Sequence, residues 1–237
     1  MKKIILLALL FCLVENNYAQ IIRTKLPDTT SNWTKKNKVG LDISQITFLN
    51  WNAGGNTSIS GLAKGNFIRK YQKNNLVWNN ELVVRYGINK QEGQDARKTD
   101  DQFLLNSTFG YRRDTISNWF HVEKFTFNTQ FANGYSYPNT DLAISKPFAP
   151  AYIFLGIGAE YNRNDLNLEL YMSPLTLKTT LVLDERLANQ GAYGVDKAEY
   201  DILGNLIRKG KKTRNEGSKV GKSNFCFFLG ERDVLDH

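Results

Sequence analysis

Two cysteines, two histidines and five prolines are spread over 237 residues, and each scarcity removes a class of protein. Cys12 sits in an apolar leader, so Cys226 is the one cysteine beyond it. An intrachain disulfide scaffold is thereby excluded, as is a cysteine-rich metal site. His121 and His237 are too few to supply the nitrogen ligands of a zinc centre. No cofactor is expected. The longest apolar run, Ile4 to Val14, is too short for a membrane helix, and the mean hydropathy is −0.42. If the chain enters a bilayer it must do so as strands closed into a barrel, because backbone groups cannot go unpaired in lipid.

Catalytic signatures are also missing. The glycines of Gly54-Gly55 and Gly156-Ile157-Gly158 are followed by no GK[ST], so they form no phosphate loop. No nucleophile elbow occurs. Asp100-Asp101 and Asp184-Glu185 are adjacent carboxylates. Neighbours on a strand point to opposite faces and cannot converge on one substrate, so these read as loop charges. The expectation is a protein that is not an enzyme.

What is present begins with an export signal. Lys2 and Lys3 precede the apolar run, and a polar stretch then leads to Ala19-Gln20. That order predicts cleavage between Ala19 and Gln20, although Asn17 at −3 meets the small-residue rule only in part. Phe11 before Cys12 argues against lipid attachment. The organisation expected is a signal peptide over 1–19, a polar lead-in over 20–37, a β domain over 38–215 and an atypical tail over 216–237. The net charge of +8 is partly the leader's. Much of the rest lies in Arg208, Lys209, Lys211, Lys212 and Arg214. That cluster could meet lipopolysaccharide or anionic lipid, but no aromatic interleaves it. It reads as a solvated loop, with no nucleic-acid partner.

The mature chain alternates with period two. Val39, Leu41 and Ile43 alternate with Gly40, Asp42 and Ser44, and the move of apolar residues to Ile46 predicts a bulge near Ser44-Gln45. The clearest strand runs from Leu76 to Ile88. Trp78, Leu82, Val84 and Tyr86 share one face, the candidate lipid-facing band and girdle. Glu81 and Arg85 share the other, the candidate lumen-facing side. Trp78 to Tyr86 covers roughly 27 Å of strand, or about 20 Å along the normal at a tilt near 40°. Asn80 interrupts that band. Further alternating segments fall at 103–112, 124–131, 166–172 and 175–183; with 151–161, which is apolar on both faces, and the weaker 58–70, that makes about eight strands before residue 185. Asn74-Asn75, 162–165 and Ser173-Pro174 read as short turns, whereas 89–101 and 133–150 read as long loops. That asymmetry suits a transmembrane barrel.

Several segments resemble the bacterial family known as domain of unknown function 3078 (DUF3078). They are Val39-Gly40-Leu41-Asp42-Ile43-Ser44-Gln45, then Asn50-Trp51-Asn52-Ala53-Gly54-Gly55-Asn56, then Arg97-Lys98-Thr99-Asp100-Asp101. The likeness continues through 129–138, 149–152, Ser173-Pro174-Leu175-Thr176 and Gly191-Ala192-Tyr193-Gly194-Val195. The resemblance covers most of residues 33 to 215. It implies an outer-membrane setting and carries no assigned activity. After Glu216 the family would continue into long strands, and the departure there points to a truncated or frameshifted tail.

The reading that follows is all-β: an antiparallel up-and-down barrel of outer-membrane type with about eight or more strands. It would serve as a pore, a ligand-binding channel or an envelope component in the cell outer membrane. Its partners would be membrane lipid, lipopolysaccharide and a small molecule or protein of unknown identity. The alternative is a secreted or periplasmic β-sandwich that binds glycan or a protein, with Trp33, Trp51, Tyr135 and Tyr137 as stacking residues. A membrane-embedded barrel enzyme is the least favoured.

Overall fold

The computed structural model describes residues 31–47, 56–114, 116–166, 168–217 and 226–231. The 1–19 leader with Ala19, and also Gln20 and Trp51, lie outside them. Five long strands come first: β1 (Trp33–Ile46), β2 (Ser58–Lys73), β3 (Leu76–Gln91), β4 (Arg97–Tyr111) and β5 (Trp119–Thr129). A small hairpin, β6 (Gly134–Ser136) and β7 (Asn139–Ser145), precedes β8 (Ala151–Arg163) and β9 (Leu168–Leu181). Then come the short helix α1 (Glu185–Asn189), the hairpin β10 (Glu199–Tyr200) and β11 (Leu206–Arg208), and finally β12 (Thr213–Gly217) and β13 (Cys226–Glu231). None of the helices described is long and apolar enough to cross a membrane.

The long strands form one antiparallel sheet in the order β1-β2-β3-β4-β5-β8-β9-β12, with β13 also on β9. Each long strand neighbours the next in sequence, which is the up-and-down pattern expected. The other two sheets are the hairpins β6–β7 and β10–β11, so the long strands are not divided between two facing layers. The connections after β1, β3, β5 and β9 meet at one end of the sheet, and those after β2, β4 and β8 at the other. The first group includes the long stretches 130–150 and 182–212. At the second end, β2 and β3 join through Asn74-Asn75, with Asn74 at φ 51°, a left-handed conformation that asparagine tolerates well.

Four expectations need correction. The sheet is not closed into a barrel. β1 is paired on one side only, and the other end of the sheet is split: β12 covers Leu177–Leu181 of β9 and β13 covers Leu168–Ser173. Among the described residues no continuous strand lies there to meet the fourteen-residue β1. Ser173-Pro174 is not a turn. It lies inside β9 at a register shift against β8, where Ile157 faces Leu175 and Ala159 faces Met172. Proline has no N–H for the ladder, and a bulge is where a strand tolerates it. Two expected strands therefore fuse into one. The β1–β2 register runs unbroken through Ser44 and Gln45, so the bulge expected there is absent. Residues 89–101 are mostly strand, because β3 extends to Gln91 and β4 begins at Arg97. Hydrogen-bonded pairing carries those polar residues into the ladder despite their composition.

Candidate functional site

Registers across the sheet decide which side chains share a face. Trp33, Tyr71, Trp78 and Phe109 fall in one cross-strand row on β1 to β4. Tyr111 lies two residues lower, opposite His121. Trp119 and Tyr161 lie opposite one another two residues lower again. The ring centroids of Trp33–Tyr71, Trp33–Trp78 and Trp119–Tyr161 are 5.2, 5.7 and 5.1 Å apart. This row steps downward because the strands are staggered, as they are in sheets that wind with a tilt. Above it, on the same face, stand Phe67, Leu82, Leu105, Phe127 and Ile153, then Val84 and Phe103. Tyr86 and Phe131 stack at 5.6 Å at the far rim.

Trp78, Leu82, Val84 and Tyr86 thus lie on one apolar face bounded by aromatics. Trp78 is 40% exposed, Leu155 43% and Ile157 52%. Asn80, the fault in the band, is satisfied within the face. Trp78 Nε1 donates to Ser107 Oγ at 2.9 Å, and Ser107 Oγ donates to Asn80 Oδ1 at 2.8 Å.

The opposite face is polar and better shielded. Val122 and Tyr171 on it are each 3% exposed, and Glu160, Ser173 and Thr180 are also buried. Among the described residues no second sheet covers them; their neighbours are side chains of the same face, such as Lys124 against Glu160 and over the Tyr171 ring. Glu81 sits in a chain of hydrogen bonds across four strands. Asn66 Nδ2 donates to Glu81 Oε1 at 2.8 Å, Asn106 Nδ2 donates to Oε2 at 3.5 Å, and Thr126 Oγ1 donates to Asn106 Oδ1 at 3.0 Å. Arg85 shares the face with Glu81 but pairs with Asp100 instead. Lys64 pairs with Asp42 at 2.7 Å. Lys124 Nζ lies 2.7 Å from Glu160, 3.6 Å from Glu169 and 4.2 Å from the centre of the Tyr171 ring. Two cavities open on this face. One of about 450 Å³ is lined chiefly by Lys70, Asn79, Glu81, Asn106, Thr108, Lys124 and Thr126. One of about 400 Å³ lies beside Lys38, Leu62, Lys64, Asn66, Val83 and Arg85.

At the end that carries the long connections, loops are tied to strands by buried polar groups. Asp101 accepts from Lys98 Nζ at 2.7 Å and from the backbone N–H groups of Phe131 and Ala132 at 3.0 and 2.9 Å. Lys98 Nζ also donates to the Ala132 carbonyl at 2.9 Å. Tyr137 Oη accepts from the Lys98 backbone N–H at 3.0 Å. Asp184 caps α1 through Leu187 N at 3.0 Å and pairs with Lys146 at 2.6 Å. The Lys146 hydrogen bond, helped by that backbone N–H, holds the Asp184 carboxyl below the ordinary carboxylate range. Ala149, Val182, Leu187, Ala188 and Val195 form a small apolar core beneath these contacts. Much of the basic cluster is already paired: Arg208 with Glu199, Lys209 with Glu185, Lys211 with Asp196 and Arg214 with Glu216.

Four of the segments that carry the family resemblance, 97–101, 129–138, 149–152 and 191–195, lie at this end, whereas 173–176 lies within β9 and Trp51 to Gly55 fall outside the described residues. Arg97 to Asp101 grips 129–138, with Arg97 lying 5.4 Å from the Tyr137 ring centre. Tyr193 of the 191–195 segment donates to the Ile144 carbonyl at 2.7 Å. Residues 43–135 match the family described as protein of unknown function, DUF3078. The match begins at the end of β1 and ends in β6, so it spans the four long strands β2 to β5 and the Lys98–Asp101 lock. No curated protein matches the chain, and no solved structure does.

Sequence periodicity placed Glu81 and Arg85 together on one face, and the sheet keeps them there. It missed Asn66, Asn106, Thr126, Lys124, Glu160 and Tyr171 as members of the same surface. Parity was the available signal for Asn106, Thr126, Lys124 and Tyr171, which lie on the polar sets of their strands, whereas the segment around Glu160 is apolar on both faces. Register between strands was needed to bring them together. Trp33 joins the outer aromatic row, while Tyr135 and Tyr137 stack on one another in the hairpin region with centroids 6.2 Å apart. Among the described residues no cluster of three or more His, Cys, Asp or Glu could hold a metal ion.

Proposed function

We propose that this chain is an exported outer-membrane protein that is not an enzyme. Its apolar face meets lipid and its polar face lines an aqueous interior, as a pore, a ligand-binding channel or an envelope component. One observation carries the reading: the better-buried face of the sheet is the polar one, and the apolar face is the more exposed. A water-soluble sheet turns apolar side chains inward, where their burial is favourable. Here the shielded side carries Glu81, Lys124, Glu160 and an amide ladder, and the exposed side carries Leu, Ile, Val and Phe between aromatic rows. Contiguous exposed apolar surface of this kind marks contact with a membrane or a partner. The placement of the long connections at one end fits the same setting.

Lipid also requires every edge to be covered, so the membrane form must pair the free edges of β1 and of the β12–β13 row. Export by the 1–19 leader and the outer membrane as destination belong to the same proposal. Membrane fractionation with detergent extraction tests it. The expected result is mature protein in the membrane fraction, resistant to carbonate wash, with mobility on gels that changes on heating. Mature protein recovered wholly in the soluble fraction would overturn it.

A further inference from the structure

Glu81 dictates how its neighbours point. Both its oxygens are occupied by the amide N–H groups of Asn66 and Asn106, which turns the oxygens of those amides away from it. Asn106 Oδ1 is satisfied by Thr126. Asn66 Oδ1 is buried with no hydrogen-bond donor among the described residues, and so is Asn79 Oδ1, two residues before Glu81 on the same face. A buried acceptor without a donor is costly unless water or a ligand supplies one. Asn79 opens onto the cavity of about 450 Å³ together with Lys70, Thr108 and Lys124, and that volume lies within the range of small-molecule sites.

The charges of this cavity exclude ions as occupants. A cation would meet Lys70 and Lys124. An anion would meet Glu81, and Lys124 is already held from beside the cavity by Glu160 and Glu169. What remains is a lining of separate donors and acceptors. A hydroxyl group is both at once and satisfies either kind of neighbour. We propose that the cleft between β2 and β5 binds a small, neutral, hydroxyl-rich ligand of the sugar or polyol class. The inference deepens the reading of the polar face as the ligand-facing one, and it does not depend on lipid at the other.

Saturation-transfer difference NMR with glucose as the probe tests it. The full chain is used, folded in detergent micelles or, if it proves soluble, in buffer. Transfer to glucose protons is expected, reduced at least fivefold by Asn79→Leu. The near-isosteric Thr108→Val is expected to reduce it measurably with unchanged far-ultraviolet circular dichroism, which guards against a variant that simply misfolds. Lys64→Gln, beside the neighbouring cavity, should leave it unchanged. Absence of transfer to the folded wild type overturns the inference, as does an unaltered signal in both cleft variants. Displacement of glucose by equimolar acetate would also overturn it, by marking an anion site. A chain found wholly in the soluble fraction that binds glucose with this variant pattern keeps the inference while removing the membrane reading.

Discussion

At the residue scale, the glycines of β8 show how little room the polar face leaves. A Cβ on Gly158 would run into the Met172 carbonyl oxygen, because the bulge at Ser173-Pro174 brings the β9 backbone against it. A Cβ on Gly156 would stand 2.5 Å from Tyr171 Oη, at the tip of a buried ring. At Gly61 in β2 nothing lies within 4 Å. Gly158→Ala should therefore destabilise by about 1–3 kcal/mol, Gly156→Ala by less and Gly61→Ala hardly at all. Urea midpoints read the order, and equal effects at all three would contradict the packing. Asp184 is the second case. Its folded pKa is depressed, so its contribution is present above the ordinary value of 3.8 and is lost as pH falls through the lower folded value. Asp184→Ala should cost about 1–2 kcal/mol at neutral pH, where the cap and the Lys146 pair both act. The gap from wild type should narrow on acidification below that range. A gap of constant size from pH 7 to pH 3 would show that the carboxylate charge is not its source.

At the element scale, the loop end is held by a few buried polar contacts. Asp101 is nearly inaccessible, and Lys98 is the cation that neutralises it. Lys98→Met leaves a buried carboxylate with two backbone donors, and breaking a buried pair in this way costs about 3–5 kcal/mol. The expected readout is faster hydrogen exchange at the amides of Phe131 and Ala132, with the centre of β3 protected as before. Uniform loss of protection along β3 would instead mean that the lock supports the whole sheet. The sequence quoted both residues within one short polar segment, but it did not announce their partners. Those lie about thirty positions further on, beyond β4 and β5, and loop closure of that span leaves no local pattern.

At the scale of the whole molecule, one substitution separates lipid from water as the solvent of the apolar face. Leu155 sits mid-strand on that face and is already 43% exposed. In water, Leu155→Arg at such a site should change stability by less than about 0.5 kcal/mol. In a bilayer, an arginine on the lipid face near the midplane costs about 2–4 kcal/mol. Folding titrations in lipid vesicles should show the larger loss. A small effect at Leu155 in vesicles would argue that this face does not meet acyl chains.

Much of this protein was legible from local pattern. Period-two alternation marked most of the long strands and assigned Trp78, Leu82, Val84 and Tyr86 to one side of β3 and Glu81 and Arg85 to the other. Pleat geometry is local, so a single strand suffices to read it. The sequence misjudged Ser173-Pro174 and the length of β3 and β4, because whether a polar or proline-bearing stretch stays in a strand depends on the neighbour that pairs with it. Which face is the better buried was likewise beyond a single strand. Alternation is symmetric between the two sides, and only the registers of the assembled sheet bring the polar side chains of neighbouring strands together and leave the apolar face the more exposed. The same assembly decided that the sheet stays unclosed, since the edges of β1 and the β12–β13 row are properties of pairing rather than of composition.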